Sequence, residues 1–232
     1  MWERNAGFFR LAGLPDAVFL TLGRAAAIGA QETGPEVAKE RIRSAGLDPV
    51  AVAVMEQVHG GAIQICDKPD DTVFEKCDAL VTGQRGVALV VRSADCLPVS
   101  VFDPVLGVIG LAHAGWRGLR ERIAAGLVET MHREYGVRPS DLLAGIGPGI
   151  GSCCYEVGPE MEPVFGSSVR IVEGRRFLDL KASAVGQLAG TGISAERIFV
   201  SPWCTFCDRE GCCSYRRDGE SAGRMLTYAM LL

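Results

Sequence analysis

Two histidines and one cysteine stand where predicted strands end, and these are residue types that bind zinc. His59 follows the apolar run 51–58, Cys96 follows the run 87–92, and His113 follows the run 108–112. Functional sites are commonly built at strand ends. Two imidazoles and one thiolate leave the fourth tetrahedral position of zinc open, which is the pattern of a catalytic site. The separations of 37 and 17 residues form no local motif, so burial of these side chains in the core is the alternative.

The segment 113–118, His-Ala-Gly-Trp-Arg-Gly, leads from a predicted strand into the most regular predicted helix. Free amides at a helix start, together with the fixed charge of Arg117, suit an anion beside His113. Glycine in such a turn also has a purely steric explanation. The glycine-rich run 145–151 poses the same choice, but it lacks the Lys-Ser/Thr of a P-loop. The sequence therefore favours an anion near Arg117 over a nucleotide P-loop.

The same three residues allow two other enzymes. In a metal-free cysteine hydrolase, Cys96 would act as the nucleophile, with His59 or His113 as its base. Such a dyad needs one histidine, whereas zinc uses both. Multicopper oxidation needs about ten histidines and this chain has three, but one copper in a His2Cys site remains an alternative.

Nine cysteines are many for this chain, and their number is odd. Without an export signal, a disulfide framework is the weaker explanation. The C-x2-C-x4-C-C spacing of Cys204, Cys207, Cys212 and Cys213 suggests a second, structural zinc. Adjacent cysteines on a strand point to opposite faces, so both cannot easily reach one ion. We therefore expect a reduced cluster or a disulfide there rather than a metal.

The elements that must position these residues are short strands and a few helices. Runs rich in β-branched residues predict the strands 18–22, 51–58, 62–66, 87–92, 98–102, 108–112, 142–146 and 198–201, and a last apolar run covers 225–232. Apolar residues at every fourth position predict one helix from Leu119 to Tyr135, and further helices are expected at 35–45, 160–165 and 179–188. This mixture predicts an α/β (α+β layered) fold with mixed β-sheets flanked by helices, as a single domain over 1–232.

Composition excludes some partners. The formal net charge is −4, so no basic surface is expected to bind nucleic acid. Charged residues interrupt the first twenty positions, so neither a signal peptide nor a membrane span is predicted there. We expect a cytoplasmic protein that does not bind membranes.

Six motifs stand in the order and spacing of a known family. They are Gln57-Val-His59-Gly60, Ser93-Ala-Asp95-Cys96-Leu-Pro98, His113-Ala-Gly-Trp-Arg-Gly118, Ile146-Gly-Pro148, Cys154-Tyr-Glu156-Val-Gly158 and Ser214-Tyr-Arg-Arg-Asp218. From about Arg10 to the C-terminus the chain resembles the laccase-domain proteins, also called the multicopper polyphenol oxidoreductase or purine nucleoside phosphorylase family. The resemblance implies zinc binding by His59, Cys96 and His113.

The resemblance also implies a reaction. Members of that family cleave adenosine, inosine and methylthioadenosine with phosphate, and deaminate adenosine. Arg10 resembles the family's N-terminal arginine, and with Arg117 it is a candidate for holding phosphate. Asp95 and Glu156 are candidates for proton transfer or for orienting ligands. The family's Ser-Leu-Asn-Leu motif reads Leu-Thr-Leu-Gly at 20–23, so an expected asparagine on the substrate side is missing. We expect a zinc-dependent purine nucleoside phosphorylase.

Overall fold

Two mixed β-sheets pack face to face, and helices cover their outer faces. The structure, a computed structural model, describes residues 1–5, 7–14, 16–29, 32 and 34–232. Its strands are β1 Trp2–Asn5, β2 Phe8–Leu11, β3 Ala17–Leu22, β4 Ala51–Met55, β5 Ile63–Ile65, β6 Thr72–Phe74, β7 Ala79–Thr82, β8 Val87–Ser93, β9 Leu97–Asp103, β10 Val108–Ala114, β11 Leu143–Ile146, β12 Glu156–Val157, β13 Val169–Val172, β14 Arg175–Leu178, β15 Ile198–Val200 and β16 Met225–Leu231. Its helices are α1 Pro35–Ser44, α2 Trp116–Arg120, α3 Ile123–Tyr135, α4 Glu162–Phe165, α5 Leu180–Gly190 and α6 Tyr215–Asp218.

The first sheet has the strand order β1-β2-β3-β16-β8-β4-β6, and the second has the order β15-β11-β9-β10-β7-β5. Both contain parallel and antiparallel pairs. In the first sheet β4 lies parallel to β8 and β16 lies antiparallel to it, and in the second β15 lies parallel to β11 and β9 lies antiparallel to it. A smaller third sheet has the order β12-β14-β13. The predicted class of mixed sheets flanked by helices is confirmed.

Three apolar clusters hold these layers together. Phe19 and Leu89 of the first sheet meet Ile109 and Leu111 of the second sheet in the cluster between them. Helix α1 covers the other face of the first sheet, and α3 and α5 cover the other face of the second. Strands buried on both faces explain why the longest apolar runs of the sequence show no clean alternation. Within the part of the chain that the structure describes, no helix is long and apolar enough to cross a bilayer.

The expected helix over 119–135 is wrong as a single element. The structure has two helices, α2 and α3, separated by Glu121 and Arg122. Arg122 has a φ of 61°, and the carbonyl of Leu119 accepts hydrogen bonds from the Arg122 amide and from the Gln187 side chain. The apolar period continues across this turn, so the pattern alone does not reveal it.

The strand expected over 51–58 also ends early, at Met55. Past that point the amides of Val58, His59 and Gly60 donate to the carboxylate of Asp78 instead of to a neighbouring strand. His59 has a φ of 61°, in the left-handed region that non-glycine residues rarely occupy. The turn that carries His59 is therefore shaped by one buried carboxylate.

Candidate active site

His59, Cys96 and His113 come together at one edge of the two packed sheets. One ligand atom from each lies within 4.8 Å of those of the other two. The two imidazole rings lie 4.8 Å apart and meet nearly edge to face, at 83°. His59 belongs to the turn after β4, Cys96 to the turn between β8 and β9, and His113 to the end of β10. We call this group the His-Cys-His triad.

Asp78 fixes the orientation of His113. The register of β7 and β10 pairs Ala79 with Ala112, so the preceding residue, Asp78, stands opposite His113. The His113 amide donates to the Asp78 carbonyl at 2.7 Å, and its Nδ1 lies 2.8 Å from the Asp78 carboxylate. With Nδ1 engaged in this way, Nε2 is left to face the triad. Carboxylate–histidine pairs of this kind orient metal-bound imidazoles.

The charges of the triad are coupled. Burial opposes ionisation of the Cys96 thiol, but the charge of His113 and hydrogen bonds from both histidines outweigh it and lower the pKa of Cys96 to about 6. Burial likewise opposes protonation of His113, but the Cys96 thiolate and the Asp78 carboxylate raise the pKa of His113 to about 9. Burial raises the pKa of Asp78, yet bonds from His113 and the Gly60 amide lower it overall. Both shifts therefore favour a thiolate on Cys96 and a protonated imidazole on His113.

Gly115 leaves room for the side chains of the triad because it has no side chain of its own. A Cβ at this position would lie 2.8 Å from the Cys96 Sγ and 3.8 Å from a ring carbon of His59. The first of these distances is far below a normal contact, so any larger residue would displace the thiolate. The same glycine begins α2, the short helix that carries Arg117.

A cavity of about 520 Å³ opens onto the triad and carries strong positive charge. Four arginines line it, namely Arg92, Arg117, Arg216 and Arg224. The buried Nε of Arg92 has no hydrogen-bond partner among the described residues. Burial and the nearby charge of Arg224 lower the pKa of Arg92. A cavity of this charge suits an anionic ligand.

Aromatic rings alternate with the arginines along the cavity wall. Guanidinium groups stack on three of them, with Arg117 4.4 Å from Trp116, Arg216 5.0 Å from Tyr155 and Arg224 5.8 Å from Tyr215. Burial is the main reason that the pKa of Tyr155 rises to about 12, so this phenol stays protonated. Flat aromatic surfaces beside cations suit a planar heterocycle joined to an anionic or hydroxyl-rich group.

Asp95 lines the cavity, but its carboxylate is engaged on both oxygens. It accepts from the Thr205 hydroxyl at 2.6 Å and from the Arg216 amide at 2.7 Å. Asp95 has a φ of 96°, an uncommon value for a residue with a side chain. These contacts join the turn that presents Cys96 to the segments that carry Thr205 and Arg216.

Two other residues expected at the site lie elsewhere. The Glu156 carboxylate pairs with the Arg175 guanidinium, which lowers the pKa of Glu156, and it does not line the cavity. Arg10 is an exposed residue of β2, opposite Leu20 of β3, and is likewise absent from the lining. The structure therefore places Arg117 in the wall of the cavity that holds the triad, but neither Arg10 nor Glu156.

The donors present fit a zinc ion. They are two imidazoles and one thiolate within a single coordination sphere, with the tautomer of one imidazole fixed by a buried carboxylate. Three protein ligands leave one position for a substrate. The same donors would also accept copper.

Sequence reasoning missed Asp78, Arg92, Arg216 and Arg224. One feature of the sequence points to Asp78. It directly precedes the apolar run 79–82, and a carboxylate that such a run carries into the interior needs hydrogen-bond partners there. Arg216 and Arg224 lie more than one hundred residues from Cys96 in the chain. No local pattern relates such distant positions.

Comparisons with known proteins agree on one family. A family model described as multi-copper polyphenol oxidoreductase laccase matches residues 8–232. Purine nucleoside phosphorylase ORF3 of Streptomyces griseus is 36% identical over 230 residues, covering 96% of this chain and 92% of that protein. Adenosine deaminase RL5, from an unknown prokaryotic organism, is 32% identical over 199 residues, covering 78% of this chain and 76% of that protein.

A solved structure extends the likeness to the fold. The crystal structure of the hypothetical protein YfiH of Bacillus licheniformis matches with a TM-score of 0.90 and 27% identity, covering 100% of this chain and 99% of that one. The likeness therefore includes both sheets and the strand ends that carry the triad.

Proposed function

The chain belongs to the family described as multi-copper polyphenol oxidoreductase laccase, and we propose that it cleaves purine nucleosides with phosphate. One observation carries the proposal: the cavity that opens onto the His-Cys-His triad is lined by four arginines interleaved with three aromatic rings. Arginines suit phosphate, and aromatic faces suit a purine. The relatives named purine nucleoside phosphorylase support the same substrates.

Each part of the cavity has a role in this proposal. His59, Cys96 and His113 would hold zinc, which when bound supplies positive charge to polarise the substrate. Arg117 holds phosphate and keeps it in place for attack on the ribose carbon. A phosphate oxygen bonds to that carbon, the carbon–nitrogen bond breaks, and its electron pair leaves with the purine. Trp116 stacks on the base.

Adenosine deamination is a second proposed activity, supported by the relative named adenosine deaminase.

The test measures base release from inosine and adenosine in phosphate buffer and in phosphate-free buffer. Base and ribose 1-phosphate should form only with phosphate. His59→Ala should be inactive. Arg117→Ala should raise the KM for phosphate about tenfold or more, since a hydrogen bond to a charged group contributes about 1.5–3 kcal/mol.

Arg120→Ala is the matched control for Arg117→Ala. Arg120 lies on the same helix and its guanidinium also stacks on Trp116, at 5.5 Å, but it does not line the cavity. Its loss should leave the KM for phosphate unchanged. Equal effects of the two substitutions, or base release without phosphate, would contradict the proposal.

A metal-free cysteine hydrolase is the second candidate, and a specific observation favours it. Cys96, His113 and Asp78 form a linked series of thiolate, imidazolium and carboxylate, as in nucleophilic enzymes. The histidines separate the two candidates. Zinc needs both, whereas this series does not include His59. Activity that survives both a chelator and His59→Ala would favour the hydrolase.

Elemental analysis of purified protein decides between zinc and copper. We propose zinc, because a copper centre for electron transfer adds a weak axial ligand, often methionine. No methionine is among the residues that the structure describes as lining the cavity.

Four expectations from the sequence stay predictions. They are the cytoplasmic location, the lack of nucleic acid partners, the lack of membrane partners and the single domain.

A further inference from the structure

A second group of metal-binding side chains lies outside the cavity. Cys153 and Cys154 belong to the turn after β11, and Cys204 and Cys207 to the turn after β15. Because Cys153 and Cys154 lie in a turn and not on a strand, their side chains are not forced to opposite faces and both can reach one ion. Their four Sγ atoms lie within 4.8 Å of one another. Cys154 and Cys207 are 3.3 Å apart, and Cys153 and Cys207 are 3.7 Å apart. None of the four lines the cavity. We call this group the cysteine cluster.

We propose that the cysteine cluster binds a second metal ion, a structural zinc, through four thiolates. Zinc–sulfur bonds of about 2.3 Å in a tetrahedron put the sulfurs about 3.8 Å apart. Of the two separations given above, 3.7 Å is close to that value and 3.3 Å is shorter, and both are well above the sulfur–sulfur bond length of about 2.05 Å in a disulfide. Four protein ligands leave no open position, which is the pattern of a structural site.

The backbone around the cluster is arranged for thiolates. The Gly151 amide donates to the Cys204 Sγ at 3.2 Å. A Cβ on Gly151 would lie 3.1 Å from the Cys153 Sγ and 3.5 Å from the Cys204 Sγ, so glycine makes room for both sulfurs. Four thiolates around zinc carry a net charge of −2. The ammonium of Lys181, held by the carbonyls of Ser201 and Trp203, interacts electrostatically with Cys204 and Cys153 and would offset part of it.

This grouping differs from the one suggested by the local sequence. Cys212 and Cys213 do not join Cys204 and Cys207, because both are buried in the apolar cluster between the sheets. The partners of Cys204 and Cys207 come instead from a turn about fifty residues earlier. The two turns are joined by an isolated bridge between Gly149 and Cys204, in which the Thr205 amide donates to the Gly149 carbonyl.

A metal at the cluster would fix one wall of the cavity. Tyr155, which lines the cavity under Arg216, directly follows Cys154. Thr205, which donates to Asp95, directly follows Cys204. Linking the two turns through one ion would limit their relative motion. The proposed ion thus acts on the active site only by ordering this wall.

The experiment counts zinc per chain in protein purified under reductant. We expect two zinc ions in the wild type and one in Cys153→Ser/Cys207→Ser. Both of these cysteines are exposed, so serine should not disturb the core. His113→Ala should also retain one, and cobalt bound to that variant should give the absorption of a tetrathiolate. Cys213→Ala, which removes a thiol from the same part of the chain, should retain two.

Several results would overturn the proposal. Zinc content that is unchanged in Cys153→Ser/Cys207→Ser is one, and complete loss of zinc in His113→Ala is another. A Cys154–Cys207 disulfide in protein kept reduced, or the visible absorption of an iron tetrathiolate, would also contradict a zinc site. If the triad fails to bind zinc, the wild type should hold one ion that His113→Ala retains, so the two metal proposals fail separately.

Discussion

Replacing Asp78 with asparagine tests the core of the proposed active site. One carboxylate oxygen accepts from the amides of Val58 and Gly60 at 3.1 and 2.7 Å. The other accepts from the His59 amide at 3.0 Å and lies 2.8 Å from Nδ1 of His113. An asparagine has one oxygen, so its NH2 group must face one of these two pairs of donors.

Both orientations of the amide are costly. If the NH2 faces Val58 and Gly60, two hydrogen bonds to a charged group are lost, each contributing about 1.5–3 kcal/mol. If it faces His113, Nδ1 has to accept a hydrogen bond, and the ring proton moves to Nε2, the nitrogen that would bind zinc. We therefore expect Asp78→Asn to lower the free energy of unfolding by about 3 kcal/mol or more. Zinc affinity should fall about 10- to 100-fold.

Chelator competition measures the zinc affinity, and urea unfolding of the zinc-free protein measures the stability. The control is Asp103→Asn. Asp103 is also buried and accepts the amides of Val105 and Leu106, but through one oxygen that asparagine keeps. This control should lose little stability and no zinc affinity. Folded Asp78→Asn that binds zinc as tightly as the wild type would refute the reasoning.

Two further substitutions test the positioning of the triad. Gly115→Ala should abolish zinc binding while the protein stays folded, because the added Cβ would lie 2.8 Å from the Cys96 Sγ. The control is Gly186→Ala on α5, which should leave the zinc content unchanged because the added Cβ would have no neighbouring atom within 4 Å. Thr205→Val should lower kcat/KM about tenfold with zinc retained, because it removes the 2.6 Å hydrogen bond that holds Asp95. Zinc retained in the first variant, or an unchanged kcat/KM in the second, would contradict these assignments.

Much of the fold could be predicted from the sequence because its signals are local. The runs around β8, β9 and β10 are rich in β-branched residues, and each is a strand within one or two residues of its expected ends. The short strands β1, β2, β6, β7, β12, β13 and β14 were missed, since two to four residues give too little pattern. The break between α2 and α3 was missed because the apolar period continues across it, while the backbone turns at Arg122 with a φ of 61°.

The candidate site was predicted less completely, for a related reason. His59, Cys96 and His113 could be selected because each follows a predicted strand, and the resemblance to the family joined them. Asp78 could be noticed as a carboxylate before an apolar run, but it could not be paired with His113, because that pairing depends on the register of β7 and β10. Registers between strands distant in the chain are set by packing, not by any motif.

The two cysteine sites show why residue type alone does not decide chemistry. Cys96 lies in a cavity with arginines and two imidazoles, and three ligands leave room for a substrate. The cysteine cluster has four ligands and lies outside the cavity, so a metal there has no position for a substrate. The two sites nevertheless share a wall, because Thr205 and Tyr155 each connect the cluster to groups that line the cavity. Loss of the second metal should therefore act on the KM of the nucleoside, while loss of the first should abolish the reaction.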